Sequence, residues 1–171
     1  DKKTVMRIQC DKKGNIWFGL YSGGLCKLDA ATKKIIVYKN LLEFSNKQNA
    51  PIHDLLIDKA GNIWVSTIGN GFYCFDPVKE KVTQRYGDGK PSLKIDNITN
   101  SITQVSDSIF GITTNYKGVL WFNEKQKMFT SFTVTDGLPA NYVFGLAKNQ
   151  QNSIWVATTN GLVKVNMDTK K

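Results

Sequence analysis

Short runs of alternating apolar and polar residues recur along the chain. Turn residues separate them, and none sustains the 3.6-residue period of a helix. The segments GNIWFGL (14–20), GNIWVST (61–67), DSIFGIT (107–113) and NSIWVAT (152–158) align on Trp17, Trp64, Phe110 and Trp155, at spacings of 47, 46 and 45 residues. A second motif follows each: GLCKLD (24–29), GFYCFD (71–76), GVLWFN (118–123) and GLVKVN (161–166). Two motifs in fixed order, four times over, are an internal repeat.

Each repeat holds further β-rich runs. One precedes the tryptophan motif: Val5–Cys10, Ile52–Ile57, Ile98–Val105 and Tyr142–Ala147. Another follows the second motif at Ile35–Tyr38, Val82–Tyr86 and Met128–Phe132. Strands a, b, c and d per repeat, with almost no helix, are therefore expected. Asp11 to Gly14 and Asp58 to Gly61 read as a–b hairpin turns, since Asp bonds its own downstream backbone and Gly accepts positive φ.

In strand c, Leu28, Phe75, Phe122 and Val165 point one way and Leu25, Phe72, Val119 and Leu162 the other, so both sheet faces are apolar. A four-stranded unit of 40 to 50 residues with two apolar faces is a propeller blade, which hides those faces only by stacking on neighbours. The predicted architecture is all-β: one partial propeller over 1–171, with blades at about 4–40, 51–87, 97–133 and 141–171. The fourth repeat has no strand d before its final Asp168-Thr-Lys-Lys, and too few residues precede strand a of the first to supply one. The expectation is an arc of a larger ring, with open faces that pair with one another.

Composition narrows the function. Hydrophobic residues make up 41% and charged residues 22%, ordinary for a folded domain, and no run is long enough to span a bilayer. Net charge is +9, spread along the chain, which reads as a solvated lysine-rich surface more than a nucleic-acid footprint. Cys10, Cys26 and Cys74 form neither a CxxC nor an even set, so small buried residues are expected rather than disulfides or a zinc site. One histidine, His53, gives no metal constellation, and no nucleophile or phosphate-loop motif is present. No catalytic residue, metal or cofactor is expected. Asn97-Ile-Thr99 fits a glycosylation acceptor, a pattern common by chance.

Strand order separates two edges. The a–b and c–d turns gather lysines, from Lys12 and Lys13 through Lys127 to Lys170 and Lys171. The b–c turns and the d–a loops 39–51, 87–97 and 133–141 gather tyrosine and asparagine instead. Long loops carry binding function, and this mixture suits a neutral sugar. The candidate ligand residues are Tyr21, Asn70, Asn115, Tyr116 and Asn160.

The repeats resemble the two-component regulator propeller family. Asp11-Lys-Lys-Gly14-Asn-Ile-Trp17-Phe-Gly19 followed by Gly23-Gly24-Leu25 and Leu28-Asp29 carries that likeness, as do Asp58, Gly61, Trp64, Thr67, Gly71, Phe75 and Asp76. So does the inter-blade phrase Asp136-Gly137-Leu138-Pro139-Ala140-Asn141-Tyr142-Val143. The third repeat departs most, with Phe110 for Trp and Asp107 for Gly. The resemblance implies seven-bladed propellers in the periplasmic sensor region of an inner-membrane hybrid histidine kinase, many of which detect oligosaccharides. The implied partners are the remaining blades and domains of the same sensor. A scaffold for protein interaction or dimerisation is the alternative.

Overall fold

The computed structural model describes residues 4–22, 24–38, 41, 50–87, 99–149 and 153–167. Two compact units divide the chain, Asp1–Ile98 and Thr99–Lys171. The first contains two antiparallel sheets. These are β1 (Val5–Cys10), β2 (Ile16–Leu20), β3 (Leu25–Leu28) and β4 (Ile35–Tyr38), then β5 (Ile52–Ile57), β6 (Ile63–Thr67), β7 (Phe72–Asp76) and β8 (Lys81–Tyr86). The second unit has β9 (Thr99–Gln104), β10 (Ile109–Thr114), β11 (Val119–Asn123) and β12 (Met128–Phe132), followed by a three-stranded sheet of β13 (Val143–Lys148), β14 (Ser153–Thr158) and β15 (Gly161–Asn166). Neighbours in sequence are neighbours in each sheet, as in a blade. Among the described residues a single 3₁₀ turn, Val134–Asp136, is helical. Residues 168–171 and Asn97 lie outside the described residues.

Stacked faces build each core. In the first unit Trp17 and Leu25 of blade 1 pack with Leu55, Val65, Tyr73 and Phe75 of blade 2. Trp17 stacks on Tyr38 at 5.6 Å, and both rings meet Phe75. Gly19 is glycine because Ile52 of the next blade closes on it: a Cβ there would sit 2.3 Å from the isoleucine Cγ2. In the second unit Val119, Trp121 and Phe132 of blade 3 pack with Val143, Ile154, Val156 and Val165 of blade 4.

The turn aspartates hold the tryptophans. Trp17 Nε1–H donates to Asp11 Oδ2 at 2.9 Å, and Trp64 Nε1–H to Asp58 Oδ2 at 3.0 Å. The same carboxylates accept the backbone N–H of Asn15 and of Asn62. One side chain thus closes the hairpin and satisfies a buried indole, which would otherwise cost about 1–3 kcal/mol.

The third repeat shifts the register expected from its sequence. Trp17 pairs with Lys27 and Trp64 with Cys74, and the corresponding pair in blade 3 is Gly111 with Trp121. Phe110 pairs with Phe122 and so matches Ile63, which pairs with Phe75. The anchor position is therefore Gly111, 47 residues after Trp64, as Trp64 is 47 after Trp17. The indole has moved from strand b to strand c: a Cβ on Gly111 would lie 2.8 Å from the Trp121 ring and 2.4 Å from Leu146 Cδ1. With no indole on strand b, no turn aspartate is needed, and the a–b turn shortens to Val105–Ile109. A second departure is Cys10, which is exposed while Cys26 and Cys74 are buried, because the last position of strand a is partly buried or exposed in every blade.

Backbone conformation fixes the remaining turns. Gly71 has φ +64 and Gly118 φ +66, and at each a Cβ would fall about 2 Å from a carbonyl oxygen of the neighbouring strand, Tyr86 or Phe132. Every described c–d turn carries a long side chain in the left-handed region: Lys33 (φ 57), Glu80 (φ 50) and Lys127 (φ 54).

Three stability outcomes follow from these contacts. Asp58→Ala destabilises by roughly 1–3 kcal/mol in urea unfolding, because the buried Trp64 N–H loses its acceptor. Gly111→Ala costs roughly 1–3 kcal/mol as an overpacked site. Trp121→Leu reduces that cost, so a double-mutant cycle shows coupling rather than additivity. Lys33→Gly leaves stability unchanged or raises it by up to about 1 kcal/mol, since glycine adopts that φ without strain.

Candidate functional site

The b–c turns are held by a repeated hydrogen-bond pattern. The hydroxyls of Thr67, Thr114 and Thr158, at the end of strand b, donate to the carbonyls of Gly71, Gly118 and Gly161 at 2.7, 3.0 and 2.9 Å. The residue after strand b ties the turn to the lead-in of its own strand a. Tyr21 N–H donates to Thr4 O, Ile68 N–H to Pro51 O and Thr159 N–H to Tyr142 O, all near 3 Å. Each of these turns is short and tied back to its own blade.

In the second unit the d–a loop 133–141 is built from its own side chains. Thr133 and Asp136 form a capping box around the 3₁₀ turn, and Gly137 ends it at φ 111. Leu138 is buried in the core with Val119 and Val143. Asn141 Oδ1 accepts the N–H of Val134, and Asn141 O accepts the N–H of Gly118 in the neighbouring b–c turn. Asn160 Nδ2–H reaches Pro139 O at 3.4 Å. The loop is thus clasped between the turns of blades 3 and 4.

Three of the five expected ligand residues therefore flank one ordered loop: Asn115, Tyr116 and Asn160. Tyr116 is 69% exposed, and Asn115 is half-buried with an Oδ1 that has no hydrogen-bond partner. Tyr21 is exposed on the corresponding edge of the first unit. Asn70 differs: its residue is buried within the blade 2 turn, so it shapes the turn instead of presenting an amide to solvent. Loops 42–49 and 88–97 lie outside the described residues. Sequence reading missed the pair Tyr142–Phe144, with ring centroids 5.1 Å apart and Phe144 exposed. Its signal was an aromatic at each side of the first residue of β13.

The opposite edge is organised by carboxylates. Asp29 Oδ1 accepts the N–H groups of Ala31 and Thr32 and the Thr32 hydroxyl. The Thr32 backbone N–H foremost, then its hydroxyl and the Lys27 ammonium, bring the Asp29 carboxyl down to about 2. At Asp76 the Lys79 backbone N–H and then its ammonium, 2.9 Å away, hold the carboxyl below its ordinary value. Burial would push Asp11 up, but hydrogen bonds from Trp17, Asn15 and Lys13 reverse that. These groups accept hydrogen bonds from their own turns. Among the described residues no group of three or more His, Cys, Asp or Glu could hold a metal ion.

Comparison with known proteins fits this geometry. Residues 46–69 and 137–160 match the family model described as two component regulator propeller. The matched segments hold the Asp58–Trp64 hairpin and the clasped loop leading into blade 4. No curated protein matches the sequence. Among solved structures, the extracellular domain of the putative hybrid two component system BT3049 from B. thetaiotaomicron is similar over 100% of this chain and 24% of its own, at 20% identity and TM-score 0.82. That of BT4673 from the same organism is similar at 19% identity and TM-score 0.80, over 100% of this chain and 25% of its own. A catalytically inactive virginiamycin B lyase from Staphylococcus aureus is similar at 18% identity and TM-score 0.69, over 95% of this chain and 55% of its own. The chain spans about a quarter of the length of the two extracellular domains. At these identities the likeness is one of fold. No helix among the described residues is long and apolar enough to cross a membrane.

The depressed Asp29 value sets a pH dependence. Its folded value, about 2, lies below the ordinary carboxylate value near 4. The stability it contributes is therefore complete above about pH 4 and is lost as pH falls toward 2. In urea unfolding, the stability difference between wild type and Asp29→Asn should shrink over that window; a difference independent of pH would contradict the assignment.

Proposed function

We propose that this chain is a noncatalytic part of the extracellular, periplasmic sensor region of a two-component system, and that its b–c edge contacts an oligosaccharide whose binding is signalled to a histidine kinase outside the chain. One observation carries the reading. The described b–c turns are uncharged apart from Lys117 and present Tyr21 and Tyr116 to solvent, and those of blades 2, 3 and 4 are fixed by the threonine–glycine bonds. A preorganised edge binds without first ordering loops. Tyrosine supplies a flat apolar face with a hydroxyl, and Asn160 supplies both donor and acceptor, which matches a sugar ring. The likeness to extracellular domains of hybrid two-component systems supports the sensor role.

A second reading has its own observation. Exposed apolar side chains, among them Ile8, Phe144 and Leu162, support a propeller acting as a scaffold for assembly.

The test is a thermal-shift screen against neutral and acidic oligosaccharides, followed by calorimetry on any ligand found. A ligand specific to the folded state raises the melting temperature. The expected result is a shift with one sugar class, and about a tenfold loss of affinity, near 1.4 kcal/mol, in Tyr116→Ala. Lys12→Ala, on the other edge, leaves affinity unchanged. No shift with any sugar, or a loss from Lys12→Ala alone, removes the sugar from the b–c edge and leaves the scaffold reading.

A further inference from the structure

Strand a carries a bulge at the same register position in every blade. Met6 and Arg7 together oppose Gly19, His53 and Asp54 oppose Ser66, Phe144 and Gly145 oppose Ala157, and β9 shifts in the same way opposite Thr113. Bulges re-aim side chains. In blade 1 the re-aimed residue is charged, and it meets a charge of blade 2: Arg7 Nε lies 3.1 Å from Asp54 Oδ1. Arg7 stands on the covered side of blade 1, since Ile52 of blade 2 closes on Gly19 opposite it. It is open to solvent at the edge where strands a of the two blades lie side by side.

The pair is lopsided. The Asp54 side chain is 12% exposed, and its Oδ1 also accepts the Leu55 N–H at 2.9 Å, so the carboxylate is fixed. The Arg7 side chain is 57% exposed. Asp54 engages the guanidinium through Nε, and neither Nη1 nor Nη2 donates a hydrogen bond to a described residue. Fastening two blades does not call for such a pair. Between blades 3 and 4 a neutral amide does it, Asn100 Nδ2–H donating to Val143 O at 2.9 Å. An ion pair with one member more than half exposed adds little to stability. What it fixes is the direction of the guanidinium. Held by a carboxylate at Nε, with its outer nitrogens open, the fork is arranged to receive an anion that presents two oxygens.

The b–c edge is close by. Arg7 stands three residues beyond Thr4, whose carbonyl accepts the Tyr21 N–H. At about 3.3 Å per residue, its backbone is within about 10 Å of that turn, and Tyr21 is exposed there.

We propose that Arg7, oriented by Asp54, anchors a two-oxygen anionic group, carboxylate or sulfate, on the ligand that the b–c edge contacts. The ligand is then acidic. The inference rests on the proposed function for the sugar, but not for the anion.

The test follows the arginine directly. Arg7 and Arg85 are the two arginines of the chain, and Arg85 donates to Leu41 O at 3.4 Å, so it serves as the internal reference. Their side-chain N–H signals are followed by NMR in the isotope-labelled full chain while glucuronate is added to about 100 mM, enough to saturate a millimolar site. The expected result is a saturating shift of the Arg7 signals alone, absent with glucose and with the methyl ester of glucuronate. Arg7→Lys keeps the charge and loses the fork. Its melting temperature should match wild type, and its affinity for glucuronate, read from backbone amide signals, should fall about tenfold. Acetate and inorganic sulfate run beside the sugar. A shift with either as large as with glucuronate keeps the anion site and removes the sugar. Arg7 signals that no anion moves, or that sodium chloride moves equally at the same ionic strength, overturn the proposal, as does an unchanged affinity in Arg7→Lys. A neutral oligosaccharide that binds without any anion moving Arg7 overturns it too, and leaves the sugar reading standing.

Discussion

A tryptophan on the second strand of a blade must lie flat against the next blade and still find an acceptor for its indole N–H. In blades 1 and 2 the acceptor is the aspartate of the preceding hairpin, which also closes that hairpin through the Asn15 or Asn62 backbone. Hairpin shape, sheet register and inter-blade packing are thereby coupled through one carboxylate. Removing it would open the turn and leave the N–H of a buried indole without its acceptor. The remaining rules of the unit follow from this placement. A small residue stands two positions on, where the next blade comes close, and apolar residues line the face that receives the ring.

Much of this was legible. The alternation of apolar residues in strand c placed both faces correctly, and the strands a and d expected from β-rich runs agree with the structure to within a residue. What misled was the third repeat. Phe110 was the natural partner for Trp64 because it is the nearest aromatic, yet hydrogen-bond register puts Gly111 there and Trp121 across from it. A single sequence aligns residue types; it does not see that two strands share one volume. Cys10 was misplaced because its position, the last of strand a, is not a buried one: its register counterparts Ile57 and Gln104 are only partly buried and Lys148 is exposed.

The candidate site was less legible than the fold. Its side of the blade could be deduced from strand order alone, and Tyr21 and Tyr116 do face solvent. Asn70 could not be told from Asn160 by sequence, because both occupy the same short turn and burial alone distinguishes them. Nor could the sequence show that Pro139 and Asn141 anchor the loop to the turns of two blades, which turns a nine-residue connection into a fixed wall.

The exchange of bulk between Gly111 and Trp121 bears on how such repeats diverge. The interface conserves a volume and not a residue, so either strand can supply the ring provided the other withdraws. Once that exchange has occurred the blades cease to be interchangeable modules: strand b of the second repeat, grafted into the third, would bring two indoles to one space. Duplication can create identical blades, but each compensated pair of this kind then locks a blade to its place in the series, which gives a repeat protein a fixed order as well as a fixed fold.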